Sequence, residues 1–254
     1  MKVARFSQGG VIAFGIVDDD ELVVLKGDPM FAGYDPTGDR IALRDVKLLA
    51  PVIPRSKIVG MAHAFFSDDE EREHAESREP LFFLKPNTAV IGPDDPIFLP
   101  AQSHDVRVEG ELAIVIGKIA KNVTVENAED VIFGYTIAND VTARDLLERD
   151  GQLARAKSFD SFCPLGPVID TEYDWTSLHL TGRVNGEKFQ KGTAALYKHS
   201  VAEVVAFVSS VFTLLPGDVI LTGAPDRAEK VHDGDAVQIE IPGIGILTNP
   251  VKRL

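Results

Sequence analysis

Residues 108 to 118, Val-Glu-Gly-Glu-Leu-Ala-Ile-Val-Ile-Gly-Lys, open an apolar strand with two carboxylates that a core would not want. On a strand, residues two apart share a face. If Leu112, Ile114 and Ile116 look one way and Ala113 and Val115 the other, Glu109 and Glu111 share the second face at the leading end. Two anions that close repel unless a cation or a proton sits between them. Downstream, Tyr135-Thr-Ile-Ala-Asn-Asp140-Val-Thr-Ala-Arg144-Asp145 brings a third carboxylate behind another apolar strand, at a polar turn and helix signal. Three convergent carboxylates make an oxygen-ligand site of the kind that holds Mg²⁺, Mn²⁺ or Ca²⁺.

Strands dominate the rest of the chain. Residues 112–117, 131–138, 178–184, 218–222 and 236–241 read as strands, and residues 1–50 alternate short apolar runs with turns at Gly9-Gly10, Asp18-Asp-Asp20 and Gly33-Tyr-Asp-Pro36. Ser200 followed by Glu203 and helically spaced apolar residues predicts a capped helix that stops before Pro216-Gly217. A second helix is expected over Thr142 to Leu153. The lack of alternation between strands and long helices argues against a doubly wound parallel sheet. The expected fold is a β-rich α+β structure, a mixed β-sandwich or rolled sheet. Pro51 and Pro54 mark a hinge between a small β-rich N-terminal domain, residues 1–50, and a larger domain, residues 51–254.

A net charge of −13, from 39 acidic and 26 basic residues, opposes binding to nucleic acid or an anionic membrane. No apolar run is long enough to span a bilayer, and Met1-Lys-Val-Ala-Arg-Phe carries no export signal, so a cytoplasmic protein is expected. The single cysteine, Cys163, sits in an apolar context and is expected to be packed and inert.

Five blocks, Phe82-Phe-Leu-Lys85-Pro86, Glu109-Gly-Glu111-Leu-Ala, Asp140-Val-Thr-Ala-Arg144-Asp145, Lys157-Ser-Phe-Asp160-Ser-Phe-Cys-Pro-Leu-Gly-Pro167 and Leu221-Thr-Gly-Ala-Pro225, stand in an order that resembles the fumarylacetoacetate hydrolase family over residues 51 to 254. The resemblance implies the family's β-rich fold, a Mg²⁺ or Mn²⁺ ion on Glu109, Glu111 and Asp140, a small 2-oxo acid or dicarboxylate as partner, and a homodimer. Phe212, Leu214 and Leu215 are candidates for its interface, or for the core. Lys157 matches a family lysine near metal and substrate. Arg144 is placed to meet a substrate carboxylate, or to pair with Glu148 one helical turn on. Thr222 and Gly223 are expected to hold the substrate's carboxylate, and Lys85 to shape the mouth of the site. Ala224 departs from the usual Thr-Gly-Thr-Pro.

Hydrolytic members of the family resemble Asn-Tyr-x-x-His-x-x-Glu between Val59 and Pro80, a lid whose histidine and glutamate activate water. Counted without gaps to Pro80, this chain reads Ala64-Phe65-Phe-Ser-Asp68-Asp-Glu-Glu71. Glu71 is kept, Phe65 replaces the tyrosine and Asp68 the histidine. Aspartate ionises near about pH 4 and histidine near about 6.5, so Asp68 is the poorer base. His63 or His74 takes that place if the lid shifts register. Decarboxylation of a β-keto acid and ketonisation of a 2-hydroxydienoate pass through a metal-bound enolate and need no activated water, whereas acylpyruvate hydrolysis does. The resemblance therefore implies an isomerase of the 2-hydroxyhepta-2,4-diene-1,7-dioate type or an oxaloacetate-type decarboxylase. Acylpyruvate or fumarylpyruvate hydrolysis is the alternative, and a 2-oxo acid binder with a degenerate lid is a third reading of another class.

Overall fold

The computed structural model describes residues 1–74 and 78–253, without the side chain of His74. Strands β1 (Lys2–Gln8), β2 (Val11–Asp18) and β3 (Glu21–Leu25) form a meander. Its turns take left-handed backbone at Gly9, Gly10 and Asp19, the conformation that follows the twist of paired strands. Helix α1 (Pro29–Ala32), capped by Asp28, leads to β4 (Pro36–Ala42) and β5 (Lys47–Leu49).

After Pro51 come β6 (Ile58–Ala62), α2 (Asp69–His74), β7 (Leu81–Lys85), β8 (Val90–Ile91) and β9 (Ile97–Leu99). The carboxylate-bearing region is β10 (Val106–Val108), β11 (Gly110–Ile116), β12 (Ile132–Asn139), β13 (Thr142–Ala143), α3 (Arg144–Asp150) and β14 (Cys163–Asp170). The chain closes with β15 (His179–Val184), β16 (Glu187–Thr193), α4 (Val201–Val211), β17 (Val219–Leu221), β18 (Glu229–Lys230), β19 (Ala236–Ile241) and β20 (Gly245–Arg253).

The largest sheet runs β4-β3-β2-β1-β14-β12-β11-β17-β6-β7, with β5 on β1 and β8 on β14. A second sheet, β16-β15-β19-β20-β9, packs on its middle. Most pairs are antiparallel, but β17 and β6 run parallel, so the fold is a strand-rich α+β structure of mixed sheets. Strand β11 is buried along its whole length. Leu112, Ile114 and Ile116 enter the core shared with the second sheet, and Ala113 and Val115 enter a smaller core on the opposite face. The alternation read from the sequence is therefore present, with both faces covered.

Residues 1–50 are strand-rich and extend the large sheet through β1, where Lys2 faces Asp170 and Val3 faces Ile169. Helix α4 carries the Ser200 and Glu203 capping box. Helix α3 is shorter than the sequence suggests. Thr142 and Ala143 pair with β10, and Gly151, in left-handed backbone, closes the helix. Leu214 is fully buried and Phe212 packs edge-on against Phe82 at 5.6 Å, so both serve the core. No helix among the described residues is long and apolar enough to cross a membrane.

Candidate active site

Glu109 stands at the break between β10 and β11. Its N–H donates to Asn139 Oδ1 at 3.1 Å, and its carbonyl accepts the Asp140 N–H at 2.8 Å. Because β11 and β12 are antiparallel, with Gly110 facing Asn139, the start of one strand meets the end of the other. Carboxylates far apart in sequence thus share one end of a strand pair.

Two ammonium groups join them. Asp140 accepts from Lys85 Nζ at 2.5 Å and from Lys157 Nζ. Lys157 also reaches Glu109 Oε2 at 3.1 Å, and the Thr142 hydroxyl donates to the same oxygen at 3.3 Å. Burial works against the Lys157 ammonium, but Asp140 and Glu109 outweigh it and raise its pKa. The Phe83 ring adds a cation–π contact at 4.8 Å. Burial likewise opposes the Asp140 carboxylate, and Lys157 and Lys85 hold it below its ordinary range. Glu111 is different: burial first, then the Asp140 charge, push it well above the usual carboxylate range. Its one hydrogen bond among the described residues comes from the Gly223 N–H at 2.7 Å.

As placed, no three Asp, Glu, His or Cys side chains among the described residues converge closely enough to hold a metal ion. The lysines provide the physical reason, since Lys157 bridges Glu109 and Asp140 and Lys85 takes the other Asp140 oxygen. The donor set nonetheless fits a hard divalent ion. Three carboxylates face two ammoniums, and among the described residues Glu111 lacks an ion-pair partner of its own.

A cavity of about 1020 Å³ opens beside this cluster, lined among others by His63, Glu71, Lys198, His199 and Thr222. Glu109, Glu111, Asp140 and Lys157 are not in its wall; Thr222 and Gly223 lie between. The Thr222 hydroxyl donates to Leu112 O at 2.8 Å and shares a 2.6 Å hydrogen bond with Tyr197 OH. Thr222 and Gly223 are therefore committed to protein partners rather than left open to a substrate carboxylate. Gly223 has φ +93°, and a Cβ there would meet Ala64 Cβ at 2.4 Å, so the chain at residues 61–64 can close over it only if the residue is glycine.

The segment 63–74 is fixed mainly by residues 195–198. Phe65 stacks on Tyr197 at 4.2 Å, the Phe66 N–H donates to Leu196 O, and Arg72 Nη1 donates to Ala195 O at 3.0 Å. Glu71 accepts the Ser67 N–H and hydroxyl, both at 2.7 Å, and pairs with Lys198 at 3.5 Å. Asp68 does not occupy the place of a base. Its carboxylate accepts the Glu71 N–H at 2.8 Å and so caps α2, and it is absent from the cavity wall. His63 does line the cavity, with φ +53°, while the His74 side chain lies outside the described residues. Arg144 pairs with Glu148 at 3.0 Å on the surface, the salt bridge the sequence allowed, and does not reach the site. Cys163 is fully buried and its thiol is pushed up to about 12, mainly by burial.

Sequence reasoning passed over Tyr197, Lys198 and His199. Their only signal is three polar-tipped side chains directly before the Ser200 cap, a loop position where functional groups concentrate.

Residues 57–252 match the model for the C-terminal region of fumarylacetoacetate hydrolase, and residues 1–51 match an Rv2993c-like N-terminal model. The chain belongs to the fumarylacetoacetate hydrolase family. It is similar to the 5-carboxymethyl-2-hydroxymuconate delta-isomerase structure from Mycobacterium smegmatis, with 43% identity, all of both chains covered and a TM-score of 0.94. The human mitochondrial oxaloacetate tautomerase FAHD2A is 38% identical over 82% of this chain and 70% of the human protein. Maleylpyruvate hydrolase from Sphingobium sp. SYK-6, solved with manganese(II) and pyruvate, is 31% identical, with 100% of this chain and 99% of that one covered and a TM-score of 0.83. The family thus includes isomerase, tautomerase and hydrolase members.

Proposed function

We propose that this chain is a divalent-metal-dependent enzyme of enolate chemistry, acting on a 2-oxo or 2-enol dicarboxylate as an isomerase or an oxaloacetate-type decarboxylase. The observation that carries the reading is the buried charge cluster at the β11 and β12 ends, in which Glu111 has no ion-pair partner among the described residues. Glu109, Glu111 and Asp140 would hold Mg²⁺ or Mn²⁺. A bound ion supplies Lewis-acid polarisation of a keto oxygen. The chain's own part is electrostatic and steric. Lys157, held as an ammonium by Asp140 and Glu109, offers positive charge to an enolate oxygen. Lys85 anchors Asp140 from the other side. The Phe65 and Tyr197 contact ties the segment 63–74 to residues 195–198 beside the cavity.

Support for enolate chemistry without water activation comes from Asp68, which caps a helix instead of facing the cavity, and from the higher identity to the isomerase and the tautomerase than to the hydrolase. The second reading, acylpyruvate or fumarylpyruvate hydrolysis, has an observation of its own, since His63 lines the cavity together with Glu71.

The purified protein, with Mg²⁺ or Mn²⁺, should be offered oxaloacetate, a 2-hydroxydienedioate and acetylpyruvate, with EDTA-treated protein and Glu109→Ala as controls. Metal-dependent conversion of either of the first two, with acetylpyruvate untouched, is the expected outcome. Acetylpyruvate cleavage would replace the first reading by the second. Metal-dependent 2-oxo acid binding without any turnover would reduce the protein to a binder.

A further inference from the structure

A second cavity, about 170 Å³ in volume, lies at the seam where residues 1–55 meet Phe133 of β12 and Ile169 of β14. Its wall is mostly apolar, with Met30, Val52 and Ile169 among the contributors, and it carries two arginines, Arg5 and Arg55. It shares no lining residue with the larger cavity. The topology sets the two apart. Parallel strands β6 and β17 have the large cavity at their C-terminal ends, at Met61 to Ala64 and Thr222, and the seam cavity just before their N-terminal ends, at Pro51 to Arg55 and Gly217.

Arg5 is the unusual member. It is half-buried, makes no ion pair within 4.0 Å among the described residues, and has a single hydrogen bond there, Nη1 to Ala50 O at 3.4 Å. Burial lowers its pKa, with the Asp28 charge acting the other way. Asp28 is the one carboxylate in the wall among the described residues, and it accepts the Met30 N–H at 3.0 Å as the cap of α1. Arg55 lies over the Phe31 ring at 4.1 Å, its guanidinium held at the mouth by cation–π contact. A guanidinium presents paired donors that match a carboxylate. An apolar cavity of about 150 Å³ takes a benzene-sized molecule, so the space here suits a small acid and not a long one.

We propose that the seam cavity is a binding site for a small carboxylate with an apolar body, its charge met by Arg5 and Arg55 and its body by the apolar wall. The proposal does not rest on the reaction assigned above, and the test separates the two. Calorimetric titration of the full chain in metal-free buffer uses benzoate as the probe, benzamide as its neutral isostere, and phosphate as an anion without an apolar body. Benzoate is expected to saturate one site, with benzamide and phosphate weaker by about tenfold or more. Arg5→Gln and Arg55→Gln should each weaken benzoate by about tenfold, and Glu109→Ala should leave it unchanged. Arg55 is exposed, so its variant keeps the test valid if Arg5→Gln does not fold. Absence of saturable benzoate binding, retention of it in both arginine variants, loss of it in Glu109→Ala, or equal binding of phosphate would each overturn the assignment.

Discussion

The charge cluster at the β11 and β12 ends and the segment 63–74 stand on either side of Gly223, and they are held by opposite means. Asp140, Glu111, Lys85 and Lys157 are each at most 5% exposed, and every charge except Glu111 has an ionic partner. The α2 segment is exposed, and among the described residues its ties to the rest of the chain are surface hydrogen bonds, one aromatic contact, and the contacts of Lys198 with Glu71 and the Phe66 ring. In the cluster, moving one group leaves its partners charged and dry. In the segment, water replaces whatever is lost. The first arrangement fixes geometry; the second can rearrange at small cost.

The sharpest way to break the comparison is to remove the centre of the cluster. Asp140→Ala leaves the Lys85 and Lys157 ammoniums without their shared partner, and loss of one member of a buried pair costs about 3–5 kcal/mol. Urea unfolding of the metal-free protein should show a drop of that size, and a loss below about 1 kcal/mol would mean the cluster is no more constrained than a surface pair. Glu109→Ala should cost less, because Glu109 is one-quarter exposed and Lys157 keeps Asp140. It should nonetheless lower metal-dependent turnover by at least about a hundredfold, more than loss of an outer-sphere contact does.

Gly223→Ala tests the junction itself. The position needs positive φ, and the added Cβ meets Ala64, so a cost of about 1–3 kcal/mol is expected. The substitution also pushes residues 61–64 away from Thr222. If unfolding is unchanged while turnover falls, residues 61–64 have moved without strain, and the two regions are less tightly joined than the 2.4 Å approach indicates.

The contrast also explains what the sequence made legible. Glu109, Glu111 and Asp140 stand out in the sequence because charge next to a buried strand has few physical excuses, and the structure brings them together with Lys157, whereas Lys85, expected at the mouth of the site, is buried against Asp140. The capping box of α4 was readable because it is local. The sequence suggests substrate-facing work for Asp68, for the hydroxyl of Thr222 and, as one of two readings, for Arg144; the structure engages them in a helix cap, a link to Leu112 and Tyr197, and the surface salt bridge to Glu148. Each of those residues had a local partner at one to four positions or across a strand, and a polar side chain with such a partner carries no sign in the sequence of which use prevails. Tyr197, Lys198 and His199 are hidden for the converse reason: Lys198 and His199 reach the cavity, and Tyr197 reaches Thr222 in its wall, through the pairing of residues 64–66 with 196–198, a contact between segments far apart in sequence.

The smallest stability effect, and the finest discrimination, belongs to the α2 segment. Hydrogen bonds from Ser67 hold the Glu71 carboxyl below its ordinary range, so the tie is present at neutral pH and is lost as pH falls from the unfolded value through the folded one. Glu71→Gln removes the charge that faces Lys198 but no packing, and the urea midpoint should fall only slightly, as for a surface pair. His63→Ala then separates the two reactions. A general base contributes about a hundredfold or more, so acylpyruvate cleavage would fall by that factor if His63 activates water, whereas isomerisation or decarboxylation would change by less than about threefold. A large loss of isomerase or decarboxylase turnover in His63→Ala would show that the exposed side of the site takes part in proton transfer, and the division between a fixed chemical centre and an accessory lid would no longer hold.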